Sequence, residues 1–461
     1  MQRHILILVL SAMSVLACNP KLATPEVVPP AQYIYGAGFR SDSIELADGW
    51  WKIFGDTTLN QLVDRALAKN RNLKVAVSRI EEARHNLRIA RSAYLPSFDF
   101  GISAGVSGGG GDTEQTYQIA RDLTWEAPLF GELRQTSDAV RANISYTEWQ
   151  YRGVRLSLVA EVATTYFTML QYRRDLEIAR RSASLRRESA VLIDSLFRRG
   201  MASGVNLEQA MNLVYTAEAD IPLYERAVKQ TALSLDVLLG ETPDSVLYTN
   251  SELRLITDYT PLDIPTGIPS DILHRRPDIM QAWFQMQQSA ANAGLARTAR
   301  LPSFSIEVGG GTSASNITQL FLKNSWIWNA GLSILQPILH FGKLKHSEKI
   351  AIEQYNQSMF NYEQSFLQAL SEVESLLISI TTYRKETIRY KELVRSNTRI
   401  ALATNALYSN GLSAYLDVID AERTLYNSQM QYSNIVAQQY INYVDLCKAL
   451  GGGWVEIPTN R

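Results

Sequence analysis

Ala90-Arg91-Ser92-Ala93-Tyr94-Leu95-Pro96-Ser97-Phe98 returns as Ala296-Arg297-Thr298-Ala299-Arg300-Leu301-Pro302-Ser303-Phe304, 206 residues further along the chain. A match of this length at a fixed distance marks an internal duplication, and the duplication decides the fold. Phe197-Arg198-Arg199-Gly200-Met201 likewise matches Tyr408-Ser409-Asn410-Gly411-Leu412, and Leu239-Gly240 matches Leu450-Gly451, both 211 residues apart. Pro128-Leu129-Phe130-Gly131 corresponds to the stretch from Pro337 to Gly342, so the five residues of slack fall near the strands. The copies meet in a Pro-rich stretch, 243–269, that has no clear period.

Each copy has the same order of elements. A helix over about 72–94 ends before Pro96, two strands follow around a Gly-rich loop, and a very long helix and a second helix complete the unit. The first repeat is expected over 56–240, with strands at about 97–107 and 117–127 and helices at about 131–199 and 205–240. A linker, 241–269, leads to the second repeat, 270–451, with strands at about 303–311 and 326–336 and helices at about 342–410 and 412–450. A tail, 452–461, closes the chain. Pro277 suits the first turn of its helix, where its missing N–H has no partner, and Asp278 suits the positive end of the helix dipole.

The strands alternate strictly. Phe98, Phe100, Ile102, Ala104 and Val106 share one face; Ser97, Asp99, Gly101, Ser103 and Gly105 share the other. The copy repeats this with Phe304, Ile306 and Val308 opposite Ser303, Ser305 and Glu307. One apolar and one wet face over about ten residues suit a tilted membrane strand, and equally a sandwich with one buried face. Trp125, Trp326 and Trp328 on the return strands are of the type favoured at membrane interfaces, whereas Arg121 interrupts the apolar face. Four strands cannot close around a lumen, because the smallest membrane barrels have about eight, so a membrane reading requires oligomerisation. Gly108-Gly109-Gly110-Gly111 is read as a hairpin loop, since no Lys-Ser/Thr follows to complete a phosphate cradle.

From 131 to 199 there is no proline and a single interior glycine, Gly153, which at about 1.5 Å per residue makes a helix of about 100 Å. Val162, Met169, Leu176, Ala183, Ala190 and Phe197 recur every seventh residue, as do Val373, Ile380, Thr387, Val394, Ala401 and Tyr408. That spacing winds helices into left-handed coiled coils. The other faces are largely polar, Arg173, Arg174, Arg180, Arg181, Arg187 and Glu188 among them, so the helices meet water on more than one side.

At the N-terminus Arg3 precedes an apolar run and then Val15-Leu16-Ala17-Cys18, which reads as a secretory signal, 1–17, with a lipobox. Cys18 is then the lipid attachment point, the lipid being the one covalent group expected and no other cofactor being called for. Cys447 is the other cysteine, so no disulfide within the mature chain is expected. The segment 18–55, with Pro20, Pro25, Pro29 and Pro30, is expected to be an anchored, extended tether. No later apolar run approaches the roughly 20 residues of a membrane helix, so any further span must be β. The net charge of −1 gives no concentrated positive field for nucleic acid. His-Glu-x-x-His, Gly-x-Ser-x-Gly and dinucleotide loops are absent, and His4, His85, His274, His340 and His346 lack metal-ligand spacing; neither an enzyme nor a metal site is expected.

Taken together, Trp50-Trp51-Lys52-Ile53-Phe54-Gly55-Asp56 with Leu59 and Leu62, Arg275-Arg276-Pro277-Asp278, the paired Leu-Pro-Ser-Phe segments, and Gln336-Pro337 with Phe341-Gly342 resemble the TolC-like outer-membrane factors, in their lipoprotein branch. The resemblance covers nearly the whole mature chain. It implies an α+β membrane protein: a homotrimer in which four strands per subunit make a twelve-stranded outer-membrane β-barrel continuous with a periplasmic α-helical tunnel. The implied function is passive conduction from a periplasmic adaptor and an inner-membrane transporter to the exterior. A non-conducting coiled-coil envelope lipoprotein is the alternative. One departure is Ala127-Pro128 after Trp125-Glu126, where the family carries an apolar residue and Asp before Leu-Phe-Gly.

The turns Gly200-Met201-Ala202-Ser203 and Gly411-Leu412-Ser413-Ala414 read from their residues as a glycine helix stop followed by a new start, and from the resemblance as tips where the adaptor docks. Asp417 and Asp420 lie three apart on one helix face, where the first copy has Asn206 and Gln209. On residues alone they are solvated aspartates. The resemblance implies that Leu416, Asp420 and Arg423 match a family gate and Asp417 the acidic ring of another branch, with Asp420 meeting Arg423 across subunits. Clustered carboxylates repel, so cations or mild acidity would tighten such a ring.

Overall fold

The computed structural model describes residues 22–36, 49–109, 112–243, 256 and 272–452. The signal 1–17, Cys18, most of the linker 241–269, and Gly110 and Gly111 lie outside the described residues. Two units form. One holds 78–149 and 280–365 with the segment before Val28, and the other holds 28–77, 150–279 and 366 onward.

In the first copy the helices are α1 Thr57–Lys69, α2 Arg71–Ser92, α3 Glu132–Arg198 and α4 Gly204–Leu239. In the second they are α5 Pro277–Thr298, α6 Lys343–Ser409 and α7 Tyr415–Ala449. The strands are β1 Ser97–Gly109, β2 Asp112–Glu126, β3 Ser303–Ala314 and β4 Trp326–Leu335. The offset is 206 from α2 to α5 and from β1 to β3, and 211 from α3 to α6. The slack therefore lies in the hairpin loops: two residues separate β1 from β2, whereas eleven, 315–325, separate β3 from β4. Prolines 128 and 337 do not occupy equivalent places, being two residues out of that phase. The equivalence instead runs through side chains, since Trp125 Nε1 donates to the Tyr94 carbonyl at 3.2 Å and Gln336 Nε2 to the Arg300 carbonyl at 3.2 Å.

The sheet order is β1-β2-β3-β4, antiparallel throughout. β2 begins at Asp112, five residues before the expected start, because β1 continues to Gly109 and offers its backbone to Thr113, Glu114 and Gln115 despite their polar side chains. β3 likewise runs through Gly309-Gly310-Gly311 to Ala314, where cross-strand pairing overrides the weak strand preference of glycine. Phe98, Phe100, Ile102 and Val106 are exposed in the single chain, as are Trp328, Leu332 and Ile334. At the departure from the family pattern the ladder simply continues, Ala127 N–H donating to the Phe304 carbonyl at 2.8 Å. No helix among the described residues is long and apolar enough to cross a membrane.

In the second unit the Trp50 to Asp56 signature forms a buried clasp. Asp56 caps α1 by accepting from Thr58 N at 2.7 Å and Leu59 N at 3.1 Å, and its second oxygen accepts from Tyr166 OH at 2.8 Å. Phe54 stacks edge-on against Phe167 at 5.0 Å, and Phe167 meets Tyr440 at 5.4 Å. The heptad positions Val162, Met169, Ala183, Ala190, Val373, Ile380 and Ala401 are buried, as the coiled-coil spacing requires. Thr387, the polar member of that stripe, donates to Gln439 Oε1 at 2.9 Å. Pro222 sits inside α4, where it forgoes the bond to the Glu218 carbonyl. Within the tether, Trp50–Phe54 form a 3-10 helix where extended chain was expected, and the stretch 22–36 has neither helix nor strand. Its amides are held by carboxylates of α6, Glu26 N–H on Glu363 within the first unit and Ile34 and Tyr35 N–H on Glu374 within the second.

The helix ends near residues 240 and 451 use one device twice. Gly240, at φ +67°, lies so close to Lys69 that a Cβ would stand 2.6 Å from its carbonyl oxygen; Gly451, at φ +92°, stands in the same way 2.8 Å from that of Arg275. Asn70 Nδ2 donates to the Leu238 carbonyl at 2.8 Å, and at the equivalent place Arg276 donates to the Ala449 carbonyl at 2.9 Å. Arg276 also pairs with Asp278 and Glu372, both at 2.7 Å, and is 9% exposed. Arg276→Ala is expected to lower stability by about 2 kcal/mol, the scale of a hydrogen bond to a charged group, and Arg276→Lys by less. Thermal unfolding of both variants in detergent checks this.

Candidate functional site at the helix tips

The two inter-helix turns end α3 and α6 with a glycine in the left-handed region, Gly200 at φ +74° and Gly411 at φ +73°. The next helix is then capped in opposite ways. At α4 the N-cap side chain works forward: Ser203 Oγ accepts from Asn206 N at 3.2 Å. At α7, whose first residue is Tyr415 rather than the expected 412, the N-cap is Ala414, which has no side-chain oxygen. There Asp417 works backward, its carboxylate accepting from Ala414 N at 3.1 Å. Each turn thus holds one half of a capping box.

Behind the turns Tyr415, Val418 and Ile419 of α7 pack with Ala190 and Ile193 of α3 and Ala210 and Val214 of α4, and the Tyr415 ring lies 5.2 Å from that of Tyr408. Leu416, Asp417, Asp420 and Arg423 face outward and are exposed. Arg423 donates to Asp420 at 2.8 Å, within the same helix. That contact, expected between subunits, is satisfied inside one chain. At the turns Met201 and Leu412 occupy matching positions and are both exposed.

Above the apolar cluster lies a polar layer that the sequence reading did not single out. Arg186 of α3 is buried, donates to the Leu213 carbonyl of α4 at 3.0 Å and stands 5.1 Å over the Tyr426 ring of α7. Tyr426 OH donates to Asp220 of α4 at 2.6 Å. Burial lowers the pKa of Arg186, and Glu422, Tyr426 and Asp220 offset part of that. Burial also raises the Glu422 carboxyl pKa. The signal was present in the spacing, because Arg186 sits seven residues from both Ala179 and Ile193 on a second buried stripe. About three turns back along α3, Asp175 is buried with Gln171 Nε2 at 3.5 Å; burial pushes its carboxyl up to about 6, against hydrogen bonds from Ser433 and Gln171. Among the described residues no three His, Cys, Asp or Glu side chains gather as a metal set.

The family model for outer membrane efflux proteins matches residues 62–241 and 268–452, one match for each copy. The chain belongs to the outer membrane efflux protein family. Outer membrane efflux proteins are channels, and this chain is an outer-membrane channel subunit of an efflux system. It is 30% identical to the probable outer membrane lipoprotein SilC of Salmonella typhimurium over 98% of this chain and 99% of that one. It is 32% identical to the solvent efflux pump outer membrane protein SrpC of Pseudomonas putida over 87% of each. The crystal structure of the Campylobacter jejuni CmeC outer membrane channel superposes with a TM-score of 0.87 at 26% identity, over 95% of each chain. The solved relatives are trimeric channels of barrel and helical tunnel, and this efflux protein has their fold.

Two outcomes are expected at this end of the outer membrane efflux protein. Asp417→Ala removes the α7 cap and is expected to cost about 1 kcal/mol locally, read as faster hydrogen exchange at the amides of 414–418. Asp175 holds a proton in the folded chain up to about pH 6, whereas an unfolded aspartate releases it near pH 4. The folded state therefore binds the extra proton between those values, and stability falls as pH rises through them. Asp175→Asn is expected to match the parent's stability at pH 4 and exceed it at pH 8 by on the order of 3 kcal/mol, read as a higher melting temperature at pH 8 alone.

Proposed function

We propose that three copies of the chain form one duct of a tripartite export pump, held in the outer membrane by their joined sheets and by a lipid on Cys18. Support for the lipid comes from the lipobox and from the name of SilC, a probable outer membrane lipoprotein. Support for the duct comes from a sheet with one apolar exposed face and two open edges, which a bilayer tolerates only when every edge is paired. A periplasmic adaptor binds the tips Gly200, Met201, Ala202 and Ser203, and Gly411, Leu412, Ser413 and Ala414. The exposed Met201 and Leu412, side chains with no polar group, favour a protein partner there. An inner-membrane transporter supplies the energy, since the chain has no nucleotide motif.

Leu416, Asp417, Asp420 and Arg423 form the periplasmic gate. Exposure of all four on one side of α7 supports this, with Leu416 as the apolar stop and the Asp420 to Arg423 pairs setting the charge around it. Asp417 also fixes the start of the gate helix. Opening moves α7 relative to α3 and α4, so the Arg186, Asp220 and Tyr426 contacts resist it.

In planar bilayers the parent protein is expected to show small, reproducible conductance steps, and Leu416→Ala with Asp420→Ala to raise them several-fold. Unchanged steps in that variant would remove the gate from these residues. No conductance in either, from correctly folded protein, would favour the non-conducting coiled-coil scaffold.

A further inference from the structure

The strands sort their charges by face. Residues directly opposite each other in the ladder share a face, so one row crosses the sheet as Phe100, Arg121, Gly310 and Trp328. The row on its hairpin side is Ile102, Ile119, Thr312 and Trp326, and the row on its helix side is Phe98, Leu123, Val308 and Ala330. Every carboxylate of the four strands, Asp99, Asp112, Glu114, Asp122, Glu126 and Glu307, lies on the opposite, polar face. Arg121 is the one charged residue on the apolar face among the described residues of the strands.

Arg121 is exposed, and the side chains beside it in the ladder offer it no carboxylate. β2 lies between two strands of its own chain, so no residue of another copy stands directly beside it. Trp125 and Tyr117, residue types favoured at membrane interfaces, share its face four residues to either side along β2. On a tilted strand each therefore lies about 10 Å from Arg121 in depth. A charge left unpaired that far inside the apolar band is costly, and an ionised side chain held there points to a function.

The neighbouring strand shows where the guanidinium goes. On this face β3 carries Phe304, Ile306 and Val308 towards the helices but Gly310, Thr312 and Ala314 towards the hairpin. Gly310 leaves a notch between Arg121 and Trp328, which is 82% exposed, and a Cβ added at Gly310 would meet nothing nearer than 4.0 Å. The arginine stem is free to rise over these small residues towards the level of Tyr117 and Trp326. The hairpin end is the end away from the long helices, and so faces the outer leaflet.

We propose that Arg121, the notch at Gly310 and Trp328 form a binding site for a phosphorylated glycolipid of the outer leaflet. The guanidinium takes a phosphate of the headgroup, and the acyl chains lie along Phe100, Ile102 and Ile119. The proposal rests on the reading of the sheet as a membrane wall and adds a ligand to it. A planar fork of donors matches phosphate oxygens two at a time, which a single ammonium cannot do. Trp328 supplies an amphipathic ring at the level of the headgroup.

The probe is bisphosphorylated lipid A, added to the full-length protein in detergent and counted on the trimer by native mass spectrometry. The parent is expected to bind it about tenfold more tightly than Arg121→Gln does, the scale of one hydrogen bond to a charged group. Lipid A stripped of its phosphates is expected to bind parent and variant equally weakly. Gly310→Leu keeps the charge and fills the notch, at a residue outside the left-handed region, and is expected to lose most of the binding as well. Equal binding of lipid A by the parent and Arg121→Gln overturns the site and leaves Arg121 a charge served by water. Equal binding of the two lipid forms by the parent overturns the phosphate contact without any variant, and undiminished binding by Gly310→Leu overturns the notch. Tighter binding of phosphatidylglycerol than of lipid A overturns the glycolipid and gives the site to a phospholipid. Failure of the parent to insert into lipid vesicles overturns the membrane reading itself, a result separate from all of these.

Discussion

A strand inside a bilayer has no water to satisfy its backbone, and this constraint governs the molecule. Four antiparallel strands satisfy the inner ladders and leave β1 and β4 open. The chain therefore commits to association before any helix is considered. Helices of 67 residues follow the same logic, since they present exposed apolar side chains such as Ile388, Leu402 and Leu407 on a single chain that a soluble monomer would cover.

Duplication supplies the economy of the design, and the two copies diverge where function differs. Wall, strands and helix ends are built twice with the same contacts, even where the residues differ: Asn70 and Arg276 hold equivalent carbonyls, and Trp125 and Gln336 do the same. At the tips the divergence is chemical. The first turn is capped by a hydroxyl and the second by a carboxylate, which fixes an acidic residue on the second helix pair alone.

Much of this was legible in the residues because periodicity and repetition are properties of the string itself. The offsets of 206 and 211 gave the order of elements, and the seventh-residue spacing gave the buried stripe. The start of β2 was hidden because its first residues are polar and only the partner strand makes them extended. The cap at Asp417 was hidden because an alanine stands where the capping pattern expects Ser or Thr. The equivalence of Asn70 and Arg276 could not be read at all, since two unlike side chains reach one kind of target. Arg186 was readable as a charge on an apolar stripe, but it stands among seven other arginines between 173 and 199 that lie off that stripe.

The hairpin loops carry one further consequence. Two residues join β1 to β2, but the eleven between β3 and β4 fold into two short 3-10 turns, Ile317–Gln319 and Lys323–Ser325, braced by Ser325 Oγ on the Leu320 and Leu322 carbonyls and topped by exposed Ile317, Phe321 and Leu322. A twelve-stranded scaffold that is nearly six-fold in its strands would thus be only three-fold in its loops, with connections of two and of eleven residues alternating around it.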